Sequence, residues 1–169
     1  MIIFWGEYMT SHTVNLEDLL CNTKLTVLPE DYFIVRLPAD AKSFLTDWFR
    51  PATTPFVMII REPQEINLVV NRRKWLRMKS IFPKYEVSGP MKVICFDPKL
   101  SASALGYMAV IGKVLTDNSL SVTPISSFHR DHILVPKREL PKAVKVFRKF
   151  LSSCKKESPE KKGKRSASP

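Results

Sequence analysis

Leu120-Ser121-Val122-Thr123-Pro124-Ile125-Ser126-Ser127-Phe128-His129-Arg130-Asp131-His132-Ile133-Leu134-Val135 is the stretch on which the fold reading turns. Two apolar runs, 120–125 and 132–135, flank the polar turn 126–131, the pattern of two strands joined by a turn. Upstream, 91–96 is a further apolar strand. Residues 101–104, rich in serine and alanine, can cap a helix whose Ala104, Leu105, Met108, Ile111 and Leu115 share one face, and Asn118 suits a left-handed C-cap for it. Downstream, Leu140, Ala143, Val144, Phe147 and Leu151 recur at helical spacing, with Pro141 in the first turn, where a missing N–H is tolerated. Residues 85–151 therefore read as a small βαββα module.

The preceding half repeats the order. Residues 27–37 read as a strand, a tight Pro29-Glu30-Asp31 turn and a second strand, either a hairpin or two strands meeting at a corner. Asp40 is a candidate N-cap for a helix burying Ala41, Phe44, Leu45, Trp48 and Phe49, which Pro51 ends. The apolar runs 56–60 and 66–70, separated by a polar turn, read as two buried strands, and a short basic segment, 72–79, closes the half. The expected class is α+β: two ferredoxin-like βαββα units side by side, with antiparallel sheets and helices on one face. Along the chain this gives an N-terminal arm (1–23), a first unit (24–80), a second unit (81–151) and a disordered basic tail (152–169).

The chain of 169 residues is 44% hydrophobic, enough for a buried core, and carries a net charge of +11. Six lysines and arginines against two glutamates give residues 155–169 a surplus of +4, leaving +7 on the rest. Three cysteines, Cys21, Cys95 and Cys154, form no Cys-x-x-Cys pair and suggest neither a disulfide framework nor a zinc ribbon. With no apolar run of membrane-spanning or signal-peptide length, the reading is a soluble, cytoplasmic protein without a membrane span. The run Lys161-Lys162-Gly163-Lys164-Arg165 also fits a nuclear address.

Phosphate-binding glycine loops and nucleophile elbows are absent, and the whole chain has five glycines. No catalytic residue and no cofactor is expected. The densest polar cluster is the turn 126–132. A metal site through His129, Asp131 and His132 is disfavoured, because alternation along a strand puts His132 on the opposite side from Asp131. A plain solvated turn is a second reading; as a ligand site, the third, the turn offers the Asp131 carboxylate, Phe128 as an apolar wall and the Ser126 and Ser127 main chain. The helix start at 101–105 would supply N–H groups and a dipole for a carboxylate, and Gly106 lets a ligand approach, although plain helix packing explains a small residue there equally well. A carboxylate held at a helix terminus and an ammonium held by an aspartate describe an amino acid.

The motifs then carry a resemblance. Leu25-Thr26-Val27-Leu28-Pro29 through Arg36-Leu37-Pro38-Ala39-Asp40-Ala41 resembles the opening of the tandem ACT proteins related to CASTOR, the arginine sensors of the TOR growth pathway. Pro63-Gln64-Glu65-Ile66-Asn67-Leu68-Val69 resembles that family's Pro-x-Glu-Leu-Ser-Leu-Val. Ser88-Gly89-Pro90-Met91 resembles its Gly-Pro-Leu link, and 125–135 its Ser-Thr-Phe/Tyr-x-x-Asp-His/Tyr-x-Leu-Val signature. The match spans residues 24–151, and its last motif is the most specific. Gly106 lies sixteen positions after Pro90, more than in the family pattern, so 97–103 reads as an insertion and Gly106 is the least secure of the matched positions.

The resemblance implies a non-enzymatic, amino-acid-binding regulator with its ligand at an interface between ACT units. Phe128 and Asp131 are then the leading contacts, supported by Ser126, Ser127 and Gly106, and arginine or lysine is a candidate ligand. CASTOR proteins have four units and this chain has room for two, so a homodimer is expected, with a protein partner in nutrient signalling. Two alternatives remain open. One is a purely structural dimeric adaptor. The other is a nucleic-acid-binding protein using the tail and the outer-face Lys142, Lys145 and Lys149; against it, the aromatic residues fall at core spacing and are not interleaved with the basic ones.

Overall fold

A computed structural model describes residues 16–41, 56–97, 106–127 and 129–157. The helix expected after Asp40, the capping segment 101–104, Phe128 and the tail beyond residue 157 lie outside them. In chain order the elements are α1 (Leu16–Asn22), β1 (Lys24–Val27), β2 (Tyr32–Pro38), β3 (Met58–Arg61), β4 (Glu65–Asn71), α2 (Arg72–Met78), β5 (Glu86–Asp97), α3 (Tyr107–Asp117), β6 (Thr123–Ser126), β7 (Asp131–Pro136) and α4 (Leu140–Glu157).

All strand pairs are antiparallel, in the order β3-β4-β2-β5-β7-β6, with β1 also on β5. The twelve-residue β5 joins the two units: Glu86 to Met91 pair with β2, while Ile94 to Asp97 pair with β1. Of the two arrangements open for residues 27–37, the chain adopts the corner. β1 and β2 are not paired with each other; they lie one after the other along β5. Each unit consequently borrows its fourth strand. β1 completes the sheet β1-β5-β7-β6, and the first half of β5 completes β5-β2-β4-β3. The division at residues 80 and 81 describes the order of elements, whereas the sheets exchange strands across it.

Several contacts fasten the corner. Leu28 donates its N–H to the Val93 carbonyl (2.9 Å) and Arg72 to that of Asp31 (2.7 Å). Lys92 and Lys137 both reach the Asp31 carboxylate, at 3.0 and 2.7 Å. The hydrogen bond from Lys137 is the main reason that the Asp31 pKa is lowered.

Residues opposite each other across an antiparallel pair face the same way, so the register sorts the core. On one face Ile94, Phe96, Ile133 and Val135 meet Tyr107, Ile111 and Leu115 of α3, Ala143 and Phe147 of α4, and Leu19 and Leu20 of α1. On the same face of the first unit Val35, Leu37, Ile66, Leu68 and Val70 pack against Trp75 of α2 and Phe82. The described helices that pack on the sheet thus share one face, as expected. Each such buried side chain contributes roughly 1.5–3 kcal/mol. The opposite face is concave: Phe56, just before β3, reaches across to Tyr32 (ring centroids 5.9 Å) and His132 (4.8 Å), sealing Val69, Val93 and Leu134 beneath the curl.

Four local expectations change. The segment set down as an arm supplies α1, whose leucines enter the core. The basic segment 72–79 holds α2, capped by Asn71, whose side chain accepts from the Lys74 N–H (2.7 Å). Positive φ after α3 falls on Ser119 (+50°) and not on Asn118, which instead donates its side-chain N–H to the Val114 carbonyl (2.8 Å). Finally, α4 continues to Glu157, six residues past Leu151.

Candidate functional site

The turn between β6 and β7, the end of β5 and the start of α3 meet at one end of the second unit. Asp131 is the first residue of β7, opposite Ser126 on one side and Phe96 on the other. Its register turns it to the helix-bearing face, and it is 4% exposed. Among the described residues none donates a hydrogen bond or an ion pair to its carboxylate. The charge of Asp131 is felt by Tyr107, the first residue of α3. The N-cap, Gly106, has φ +84°, a backbone region that side chains other than glycine rarely adopt, and no side chain caps the helix.

Tyr107 follows directly and is buried. Its hydroxyl pairs with Thr23 Oγ1 at 2.9 Å, and Thr23 in turn donates to the Leu19 carbonyl at 2.7 Å. Burial, opposed by the Thr23 hydrogen bond and reinforced by the negative charge of Asp131, pushes the tyrosine up to about 12. Tyr107 and Thr23 are absent from the sequence-derived site. Tyr107 was recoverable, because it is spaced four and eight residues ahead of Ile111 and Leu115 on the inner face of α3. Thr23, between α1 and β1, carries no such signal.

The remaining positions separate. Ser127 spends both its N–H (2.9 Å) and its hydroxyl (2.8 Å) on the Arg130 carbonyl, closing the turn. Antiparallel alternation then makes Ser126–Asp131 a pair whose main-chain groups point away from each other, so those of Ser126 lie along the outer edge of β6. Arg130 reaches Asp97 at 3.5 Å, tying the turn to the end of β5. His132 faces the concave side, against Phe56, and burial lowers its pKa. Asp131 and His132 therefore cannot share one ion, and no group of three metal-ligating side chains converges among the described residues. Within one chain Asp131 sits beyond the β2–β5 seam, opposite Phe96, five residues on from Met91.

This is the geometry against which known proteins compare. Residues 87–149 match the ACT domain family. The matched region runs from the first residues of β5 into α4 and so contains Gly106, Ser126, Ser127 and Asp131. In fold, the chain resembles a Vibrio cholerae protein of unknown function with a suggested transport role (TM-score 0.56, 23% identity, covering 80% of this chain and 95% of that one). It also resembles an Agrobacterium tumefaciens protein (0.56, 22%, 79% and 90%). A third likeness is to the regulatory subunit of aspartate kinase from Thermus flavus (0.56, 10%, 74% and 95%). No curated protein sequence matches. No helix among the described residues is long and apolar enough to cross a membrane.

Proposed function

We propose that the protein is a non-enzymatic regulator of the CASTOR-like kind that binds a free amino acid at the end of its second ACT unit. The observation that carries this reading is Asp131: a buried carboxylate without a described donor, set beside the uncapped start of an eleven-residue helix. A buried carboxylate is costly to a fold unless it is paired, and a cationic ligand group has the charge to pair with it. The N–H groups and dipole at the start of α3 suit a carboxylate, so a zwitterion satisfies both ends. Asp131 holds either the α-ammonium or, for arginine or lysine, the side-chain cation. Support also comes from the resemblance across residues 24–151 and from the fold shared with a regulatory aspartate kinase subunit.

An interface ligand requires a second copy, because the site lies away from the seam inside one chain; the reading therefore includes a homodimer. Ligand preference for one dimer arrangement over another would couple binding to a protein partner. Saturation-transfer NMR with each of the common amino acids tests the binding, and light scattering tests the assembly. The reading predicts one class of binder, lost in Asp131→Ala, and a dimer. Absence of any binder, or a monodisperse monomer well above micromolar concentration, contradicts the corresponding part.

A further inference from the structure

Four of the five exposed large apolar side chains among the described residues fall within one twelve-residue stretch: Leu76 (46% exposed), Ile81 (44%), Tyr85 (42%) and Val87 (41%). Tyr85 packs edge-on against Trp75 of α2, ring centroids 5.0 Å apart. Val87 pairs with Val35 on the helix-bearing face. Both lie where the first unit's fourth strand begins. The second unit treats the same place differently: Leu25 and Val27 of its fourth strand, opposite Phe96 and Ile94, pack into the core to which α1 gives Leu19 and Leu20. Among the described residues nothing covers Tyr85 and Val87 in the way that this core covers Leu25 and Val27.

Charge indicates what would. Arg73, Arg77, Lys79 and Lys84, in or just before the same stretch, are exposed and make no ion pair among the described residues. The acid in the same stretch, Glu86, is held by Arg36, which turns to the other face of the sheet. The α1 sequence, Leu16-Glu17-Asp18-Leu19-Leu20, combines buried leucines with two acids in its first turn.

We propose that this face of the first unit docks an acidic, leucine-bearing amphipathic helix of a partner protein, in a role like that of α1 in the second unit. Apolar anchors inside a field of opposite charge give such a groove both affinity and orientation. A second copy of the chain would bring like charges together here. A bilayer rewards side chains that stand clear of the surface, whereas these four are each more than half covered. The docking face is separate from Asp131 and does not depend on a ligand there.

The test uses the full chain and a fluorescent synthetic peptide carrying the Leu-Glu-Asp-Leu-Leu pattern through about four helical turns. A control peptide has the same composition, scrambled so that the leucines share no face. Anisotropy should show saturable binding of the first peptide, weakened at least about tenfold by the double substitution Leu76→Glu/Tyr85→Glu. It should weaken similarly with Arg77→Glu/Lys84→Glu, and on raising salt from about 0.05 to about 0.5 M. Circular dichroism checks that both variants keep the fold. Equal binding of both peptides, unchanged affinity in both variants, or no binding overturns the proposal. So does co-sedimentation with phosphatidylserine vesicles that needs these residues while the peptide stays free, which would assign the face to lipid. Loss of a dimer in the variants without peptide would assign it to a second copy.

Discussion

Among the described residues, two buried polar atoms on the concave face have no hydrogen-bond partner, the Tyr32 hydroxyl and His132 Nδ1. Burial, the largest cause, holds His132 below its ordinary 6.5. The unfolded chain therefore takes up the proton more readily than the folded one. Stability on this account is fully present above pH 6.5 and is lost as pH falls from there toward the lowered folded value. Thermal melts between about pH 5 and pH 8 should show that slope, and His132→Phe, which keeps a ring against Phe56, should flatten it and gain about 1 kcal/mol. The two buried tyrosines separate in the same way. Tyr32→Phe removes a hydroxyl without a partner and should be neutral or stabilising; Tyr107→Phe removes the bond to Thr23 and should cost about 1 kcal/mol, both read from urea midpoints. Only part of the placement of Asp131 was legible at this scale: the sequence set it at the end of the polar turn 126–131, whereas β7 takes it in as its first residue and so fixes the face it turns to. The partnership of Tyr107 and Thr23 was not legible, since it joins residues 84 positions apart through contacts that only the assembled helices create.

Among the elements, β5 carries the architecture, and its weakest point is Gly89. The φ there is +140°, and a Cβ would stand 2.8 Å from Phe33 Cδ1 and 3.0 Å from the Tyr32 carbonyl. Gly89→Ala should therefore cost about 2 kcal/mol or more, seen as a lower urea midpoint, while Gly112→Ala, with open space around it, should be harmless or stabilising. The strand exchange yields a second expectation. A fragment of residues 81–157 lacks β1 and α1, leaving Ile94 and Phe96 without their cross-strand partners Val27 and Leu25 and without Leu19 and Leu20, and should not unfold cooperatively on its own; adding a peptide of residues 14–28 should restore a cooperative melt. A fragment that melts cooperatively alone would contradict the exchange. Strand identity was largely readable from apolar runs, but strand partners were not. Residues 27–37 gave two strands and a turn, and the choice between hairpin and corner depended on Leu28 meeting Val93 and Lys92 meeting Glu30, each across more than sixty residues. The seven-residue α1 is too short to show a period, and so read as an arm.

For the whole molecule, two four-stranded sheets share one long strand, carry their described helices on one face, and leave two features that the core does not need. One is the basic, apolar face around Tyr85. The other is Asp131, a buried carboxylate with no donor among the described residues. Neutralising it separates binding from stability, which a merely structural residue would not do. The decisive measurement is the melting temperature of the wild-type chain and of Asp131→Asn, each alone and with millimolar concentrations of each amino acid. Ligand at about a hundred times its dissociation constant adds about 2.7 kcal/mol to the folded state. The prediction is that Asp131→Asn melts higher than wild type without ligand, and that one amino-acid class raises the wild type alone. A variant that melts lower and still responds to the same amino acid, or a wild type that responds to none, would contradict the assignment of Asp131 as the ligand carboxylate.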